Sequence, residues 1–293
     1  MNTIPWADVT DHASDDHRPR LVALAYRMLG SVAEAEDAAQ EAYLRLHRQP
    51  QGTIENTGAW LTTVTSRICL DRLTSAQTRR ERYVGEWLPE PVVTQPDAAE
   101  QLELGESISM AFLVVLETLS PPERVAFLLH DVFGYGYVEI AATLERSETA
   151  CRQLVSRARK HVQARRSRFE HDPNVRAQVA ERFLAASASG AVEDLLALLA
   201  PDVSLHFDGG GKASAGLRPV HGPERVVRYV QGVGRAAGDL HLAVRWLNGS
   251  PGLIAQRADG SIDTAFILDV ADGTVTRINV LRNPDKLGHL TSG

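Results

Sequence analysis

Arg152, Gln153, Ser156 and Arg157 share one stripe of a segment whose opposite stripe is Cys151, Leu154, Val155 and Ala158. Guanidinium forks and carboxamides are side chains that hydrogen-bond base edges in a major groove, Arg suiting guanine and Gln adenine. The apolar stripe repeats at helical spacing, so one half-buried helix would present all four polar residues outward. Upstream, Val138, Ile140, Ala141 and Leu144 predict the buried side of a first helix, with a break near residues 145–147 and Ser147 as N-cap of the second. Together these make a helix-turn-helix whose second helix is placed to enter the groove. Between Arg146 and Arg168 eight Arg or Lys residues meet a single acid, Glu148, although the whole chain carries a net charge of −6. Such a local reversal is the electrostatic footprint of phosphate contact. The competing reading is a solvated amphipathic helix pair, because two-helix hairpins with basic ends are common.

Asp37, Gln40, Glu41 and Leu44 stand at i, i+3, i+4 and i+7, so three polar groups and a surplus leucine lie side by side on one helix face. A partner surface has this composition, as does a solvated face with one stray leucine. Trp60 follows the Pro- and Gly-bearing loop 49–57 and precedes a basic segment, 72–82. An aromatic beside such a loop can stack on and capture unpaired bases, although a lone tryptophan is more often core. Metal-type ligands cluster at 11–17 without fixed spacing, and no metal or other cofactor is expected. Near the C-terminus His206, Asp208, His221, Asp263 and Asp269 are available as general bases, but surface and loop Asp or His residues are usually structural. The DGGGK string at 208–212 offers backbone N–H groups and a lysine to an anion, without the spacing of a P-loop.

The elements that must position these residues follow from periodicity. A chain of 293 residues accommodates two or three domains. Helices are predicted at 17–29 (Leu21, Leu24, Ala25, Met28 and Leu29 inward), 33–48 (Ala35, Ala38, Ala39, Ala42 and Leu46 inward) and 59–73. Residues 84–105, with WLPEP at 87–91 and then Pro96, read as a linker. Helix returns at 106–119, stops at the Ser120-Pro121-Pro122 cap and restarts through Phe127 into the hairpin. After a boundary at 171–174, helices are predicted at 175–188, 192–199 and 223–236. Strands are predicted at 203–207, 240–247, 252–257, 262–270 and 275–281, with hairpin turns at 258–260 and 272–273. Helices first and a meander afterwards indicate an α+β domain. Cys69 and Cys151 fall on apolar faces, where a small buried hydrophobe is the ordinary role. No apolar run approaches the roughly 20 residues that span a bilayer, and the N-terminus lacks a secretion signal, so a cytoplasmic location without membrane contact is expected.

The stretches AEDAAQEAYLRLHR, AWLTTVTSRICLDRL and LETLSPPERVAFLLHDVFGYGYVEIA, in this order and spacing, resemble regions 2.2, 2.3 to 2.4 and 4 of extracytoplasmic-function RNA polymerase sigma factors. The remainder resembles a SnoaL-like domain of the NTF2-like superfamily, and WLPEP, DGGGK and NPDKL (283–287) resemble signatures of the subgroup that carries this extension. The resemblance implies a non-enzymatic, multidomain chain: two all-α sigma domains at 1–92 and 111–170 joined by a linker at 93–110, then an α+β cone domain at 171–293. It implies that Asp37, Gln40, Glu41 and Leu44 meet the β′ clamp helices of core polymerase, with β as a further partner. It implies that Trp60, Arg67, Arg72, Arg79 and Arg80 act at the minus-ten element, where flipping a base costs a few kcal/mol. Ser147, Thr149, Arg152, Gln153, Ser156, Arg157, Arg159 and Lys160 would act at the minus-thirty-five element. Two positions depart from the family pattern: Gly136, a weaker N-cap, replaces the usual Ser, and Arg67 a frequent Asn.

Trp87 and Leu88 are costly to leave exposed, so docking of Trp87, Leu88 and Pro89 on Asp208, Gly209, Gly210, Gly211 and Lys212 and on Asn283, Pro284, Asp285, Lys286 and Leu287 is the expected regulatory device. It would set the relative positions of the sigma domains. A small ligand in the cone is a further expected partner, and one-to-one binding to polymerase argues for a monomer. The alternative is a helix-turn-helix regulator whose C-terminal pocket senses a small molecule.

Overall fold

The computed structural model describes residues 17–50, 52–80, 83–94, 109–165, 172–236, 238 and 240–291. They fall into two compact units, one built from 17–80 and 112–165, the other from 83–94, 109–111 and 172–291. The divisions differ from the linear spans expected above: the two helical segments share one unit, and the linker residues 83–94 join the C-terminal one. The metal-type run at 11–16 lies outside the described residues, as does the first part of the helix expected at 106–119.

In the helical unit, α1 (Arg18–Leu29) buries Leu21, Leu24, Ala25, Met28 and Leu29 and ends on Gly30, whose φ of 70° allows its N–H to cap Tyr26 O. Ser31 opens α2 (Val32–His47) by accepting from Glu34 N, and Ala35, Ala38, Ala39 and Ala42 let α2 approach α1 closely. Leu46 is only half-buried. The third helix, α3 (Thr57–Arg80), continues well past residue 73, so the basic segment is helical as far as Arg80; the side chains of 76–80, including Arg79 and Arg80, lie outside the description. Next come α4 (Met110–Glu117) and α5 (Pro121–Phe127), where Ser120 donates its N–H and Oγ–H to Glu123. A single π-helical turn at Leu128–Val132 leads to α6 (Tyr137–Leu144) and α7 (Glu148–Arg165).

Two buried arginines join these parts. Arg124 donates to Met28 O at 2.7 Å and to Glu117 at 2.7 Å, and burial lowers its pKa to about 9, which leaves it charged at neutral pH. Arg27 donates to Ala23 O and faces the Phe133 ring at 5.5 Å. A guanidinium can be buried this way because carbonyls and an acid replace its water.

In the second unit α8 (Pro173–Ser189), α9 (Val192–Leu198) and α10 (Pro223–Ala236) cover a six-stranded sheet of β1 (Leu199–Asp208), β2 (Val220–His221), β3 (His241–Leu247), β4 (Ser250–Gln256), β5 (Ile262–Ala271) and β6 (Thr274–Leu281). The order is β2-β1-β6-β5-β4-β3, with β1 parallel to β6 and the other pairs antiparallel. Phe183, Leu195, Leu205, Phe207, Val226, Leu268 and Ile278 belong to its core.

Candidate functional site

On the helix-turn-helix, Glu145 takes the left-handed φ of 53° that ends α6, and Ser147 Oγ accepts from Ala150 N to open α7. Gly136 does not displace the start of α6, because Glu139 accepts its N–H at 2.8 Å. The expected inward stripe of α6 needs one correction. Val138 is 67% exposed and Ala141 half-buried, while Thr143 is buried with Ile140 and Leu144; positions 140, 143 and 144 share a face that 138 does not. On α7, Cys151, Leu154, Val155 and Ala158 are buried, and Arg152, Gln153, Ser156, Arg157, Arg159 and Lys160 are exposed together. Ser147 and Thr149 are exposed at its start. Arg152 stacks on Tyr137 at 4.3 Å, Arg157 pairs with Glu123 at 2.9 Å, and Arg159 makes a bidentate pair with Asp131 at 2.7 and 2.5 Å. These acids aim the arginines from behind while leaving their outer edges to solvent.

Asp37 and Gln40 are exposed on α2, and Leu44 is 51% exposed beside them. Glu41 is half-buried, between Arg45 at 2.5 Å and Arg72 at 3.2 Å. Arg72 also donates to Glu34 O at 2.7 Å, so it ties α3 to α2 as well as adding charge to the basic segment. Arg67 likewise has partners in its own unit: it donates to Ala142 O at 2.7 Å and Thr143 O at 3.2 Å and pairs with Glu145 at 3.2 Å, taking up the free carbonyls at the end of α6. Nearby Thr62 and Tyr135 share a hydrogen bond of 2.8 Å. Trp60 lines a cleft of about 530 Å³ with Ile54 and Asn56 of the preceding loop on one side and Tyr135, Glu139 and Ala142 on the other. The helix-turn-helix therefore roofs the pocket beside the candidate melting loop.

In the second unit the three short strings meet around one carboxylate. Asp208, with no exposed surface, accepts from Tyr83 OH at 2.6 Å, Leu88 N at 2.8 Å and Lys286 Nζ at 2.7 Å. Lys286 also donates to Leu88 O at 2.5 Å and lies over the Trp87 ring at 4.0 Å. Asn283 donates to Tyr83 OH at 2.9 Å, and the N–H groups of Arg282 and Asn283 both reach Asp208 O. Gly209 and Gly210 are needed for closeness: a Cβ on Gly210 would stand 2.3 Å from Asn283 Nδ2, and one on Gly209 2.5 Å from Ala213 O. A Cβ on Gly211 would stand 3.1 Å from Val84 Cβ, and Lys212 pairs with Asp285 at the exposed rim, with Pro284 also exposed and Leu287 buried. Leu88 and Pro89 are buried and Trp87 half-buried. Burial raises the Tyr83 pKa, and the Asp208 carboxylate raises it further, so the phenol stays protonated and donates.

The expected general bases do not converge. Asp208 is taken up by the linker and Lys286; Asp269 is buried against Asn279 and Arg277; His206 bonds Glu86 at 2.9 Å and Ser204 at 3.0 Å; and exposed His221 lies edge-on to His206 at 6.5 Å. Asp263 alone of the five lines the cavity of about 560 Å³ between α8, α10 and the sheet. The DGGGK loop turns its lysine to Asp285, so its positive charge is already matched within the domain.

Residues 14–79 match the family Sigma-70 region 2, residues 109–162 match Sigma-70, region 4, and residues 180–278 match the SnoaL-like domain. The chain is 43% identical to the ECF RNA polymerase sigma factor SigJ of Mycobacterium tuberculosis, over 92% of this chain and 90% of that protein. It is 35% identical to the probable ECF sigma factor SigI of the same species, over 94% and 93%. The crystal structure of M. tuberculosis SigJ superposes with a TM-score of 0.74 at 39% identity, covering 92% of this chain and 95% of that one. The chain belongs to the extracytoplasmic-function RNA polymerase sigma factors.

As a sigma factor it is a transcription initiation protein that works with core RNA polymerase on promoter DNA, and its third part is SnoaL-like. Its described helices include none long and apolar enough to cross a membrane. Several residues of this sigma factor that hold the linker were not legible beforehand. Tyr83 and Glu86 flank WLPEP and reach Asp208 and His206. Asn248, at the β3–β4 turn with φ of 53°, accepts from Val92 N, while its own N–H donates to Val92 O. Thr94 N donates to Trp246 O, and His289 bonds Pro91 O at 2.6 Å. A polar residue at the tip of a hairpin reads in sequence as turn chemistry, and nothing in its spacing announces a partner 156 residues away.

Proposed function

We propose that docking of the WLPEP linker on the C-terminal domain restrains this sigma factor and that release of the linker licenses promoter opening. Core polymerase is engaged through Asp37, Gln40, Glu41 and Leu44, against the β′ clamp helices, with β as the further contact. The minus-thirty-five element is read by Arg152, Gln153, Ser156 and Arg157, with Ser147, Thr149, Arg159 and Lys160 toward phosphates. The minus-ten element is melted at Trp60, with Arg67, Arg72, Arg79 and Arg80 supplying charge. These roles are supported by the exposure of the α2 and α7 faces and by the placement of Trp60 beside a cleft. The C-terminal domain acts as a binding and regulatory module and not as an enzyme, since its candidate bases are spent on structural partners. It takes a small ligand in its cavity; the chain works as a monomer in the cytoplasm, where polymerase is.

The observation that carries the regulatory reading is Asp208, fully buried and satisfied largely by atoms of the linker. A carboxylate sequestered this way is costly without those partners, so docking and folding of this site are one equilibrium. In the helical unit, α6 covers the Trp60 cleft and engages Arg67, which accords with a form that must open before single-stranded DNA enters. Run-off transcription with bacterial core polymerase tests both parts. An Asp37→Ala, Gln40→Ala, Glu41→Ala variant is expected to lose transcripts through lost core binding, whereas Asp208→Ala raises output at unchanged core affinity. Unchanged output from a folded Asp208→Ala chain removes the regulatory reading and leaves the sigma assignment intact.

A further inference from the structure

Arg152, Arg157 and Arg159 all face outward on α7, and each is held by a neighbouring side chain, but not in the same way. Arg157 gives its Nε–H to Glu123 at 2.9 Å, and Arg159 gives Nε–H and Nη2–H to Asp131 at 2.7 and 2.5 Å. Both are held in the guanidinium plane, through donors of the kind that a base edge takes. Arg152 is held on its face: its guanidinium carbon lies 4.3 Å from the centroid of the Tyr137 ring. Its in-plane contact is a single longer one, from Nη2 to Glu148 at 3.3 Å, and its side chain is 59% exposed. Stacking occupies the π face and leaves the fork of N–H groups to point elsewhere. Guanine O6 and N7 accept from such a fork, both bonds lying in its plane.

Tyr137 is itself fixed from behind. It is the first residue of α6, after Gly136, whose N–H is taken by Glu139 at 2.8 Å. Its ring packs against that of His130, with centroids 4.3 Å apart and planes at 50°. His130 Nδ1 lies 3.0 Å from Tyr135 O; a carbonyl only accepts, so this nitrogen carries the hydrogen and the imidazole is oriented by the bond. His130 belongs to the π-helical turn Leu128–Val132, and so does Asp131. One such turn therefore supplies both the ring behind Tyr137 and the acid that holds Arg159. Turns of this kind are rare and recur at functional sites. The stack runs outward from half-buried His130 through half-buried Tyr137 to exposed Arg152.

We propose that Tyr137 is a positioning residue that determines specificity: its ring holds Arg152 so that the guanidinium fork reads one guanine of the minus-thirty-five element. The proposal rests on the reading of α7 as the minus-thirty-five helix, and it adds which side chain carries the guanine preference and what aims it. Tyr137 acts through Arg152 and touches no base. A long side chain that must be immobilised on binding loses rotamer freedom, and a stacked one has lost much of it beforehand. The ring therefore sharpens the preference at the position that Arg152 meets and leaves the positions met by Gln153 and Ser156 as they are.

The test is selection of promoter sequences by holoenzyme, reconstituted from the full-length chain and bacterial core polymerase, on linear duplexes with a randomised stretch long enough to hold both elements. Wild type is expected to favour guanine at one upstream position, and Arg152→Ala to abolish that preference. Tyr137→Leu keeps an apolar side chain and removes the ring face; it should reduce the guanine preference at that position about two- to fivefold, the size of an exposed cation–π contact, with other positions unchanged. Tyr137→Phe should retain the preference. A ring-fluorinated phenylalanine at the same position, similar in shape but without the electron-rich face, should lose it as leucine does, which separates the π contact from packing of α6. The salt dependence of binding should be the same for Tyr137→Leu and wild type, because no phosphate contact is removed. Unchanged guanine preference in the leucine and fluorinated variants overturns the proposal and leaves Arg152 as the reader. A loss spread evenly over all positions also overturns it, since that is what a disturbed α6 alone produces. If Arg152→Ala alters no position, the assignment of Arg152 to a base falls and the proposal falls with it.

Discussion

Lys286 and Asp208 form a buried ion pair whose energy is asymmetric: the pair together contributes little, yet either charge alone is expensive. Lys286→Met leaves the Asp208 carboxylate with only Tyr83 OH and Leu88 N, a loss of about 3–5 kcal/mol for this site. Asp208→Asn with Lys286→Met together should cost distinctly less than the sum of the two single changes. Limited proteolysis within 83–94 reads the difference, since undocked linker is cut first; equal cleavage of wild type and Lys286→Met would refute it. Asp269 gives a pH effect of opposite sign to most carboxylates. Burial, against the weaker pull of Arg277 and Asn279, raises its pKa to about 6. A raised folded pKa favours the native state below the unfolded value near 4 and loses that contribution as pH rises through about 6. Asp269→Asn should therefore flatten a decline on the order of 2–3 kcal/mol between pH 4 and 7, read as amide exchange protection of β5 and β6. Glu86 and Asp263 work the other way, with burial overcome by His206 and by Thr264 and the arginines respectively; their lowered pKa values add stability that disappears as pH falls through the acid range. At this scale the sequence pointed to Asp208 and Lys286 through short polar strings, but not to Tyr83 or Asn248, because a hydrogen-bond partner far along the chain leaves no local period.

Among the elements, α7 was legible because its apolar positions repeat over several turns, and all four expected inward residues are buried. The shorter α6 was half legible. Over eight residues a helix has two turns, and the choice between Val138 and Thr143 as the inward residue is decided by what packs on it, not by hydrophobicity. Thr143 is buried with its hydroxyl bonded to Glu139 O, which satisfies the group that would otherwise favour solvent. In the sheet, the strands β3 to β6 were readable from alternation and turn residues. The parallel pairing of β1 with β6 was not, since it joins segments separated by a helix and four strands, and two-residue β2 is below any period. The Ser120 cap was readable and carries a prediction. Ser120 bonds Glu123, which in turn aims Arg157. Ser120→Ala should cost about 1 kcal/mol of helical-unit stability. Glu123→Ala should in addition free Arg157, giving weaker and less sequence-selective binding to minus-thirty-five DNA. Binding isotherms at two salt concentrations check this, and unchanged selectivity in Glu123→Ala would count against positioning of Arg157 by that acid.

For the molecule as a working sigma factor, the informative residue is Arg67, which faces two demands. In this structure it caps the C-terminal carbonyls of α6 and pairs with Glu145, while the role proposed for it above is at minus-ten DNA. It cannot do both at once, so the helical unit must open for the second, and the interaction with α6 becomes part of the cost of opening. Hydrogen bonds from a charged donor to carbonyls are worth about 1.5–3 kcal/mol each when buried, less here because the guanidinium is 42% exposed. Arg67→Ala then separates the two roles. If capping dominates, the variant opens more readily: a fluorophore pair on α2 and α7 should report a larger separation in the free chain, and binding to core polymerase should become faster. If DNA contact dominates, core binding is unchanged and open-complex formation falls on duplex promoters but recovers on promoters already unpaired at the minus-ten element. Because the roofed cleft holds Trp60 as well, the expectation is both effects in one variant, with faster engagement of polymerase and a lower yield of open complex. Glu145→Ala should reproduce only the first, since Glu145 is a partner of Arg67 in the closed unit and a carboxylate gains nothing from DNA phosphate. An Arg67→Ala chain with unaltered separation and unaltered polymerase association would show that α6 is not what holds the unit closed.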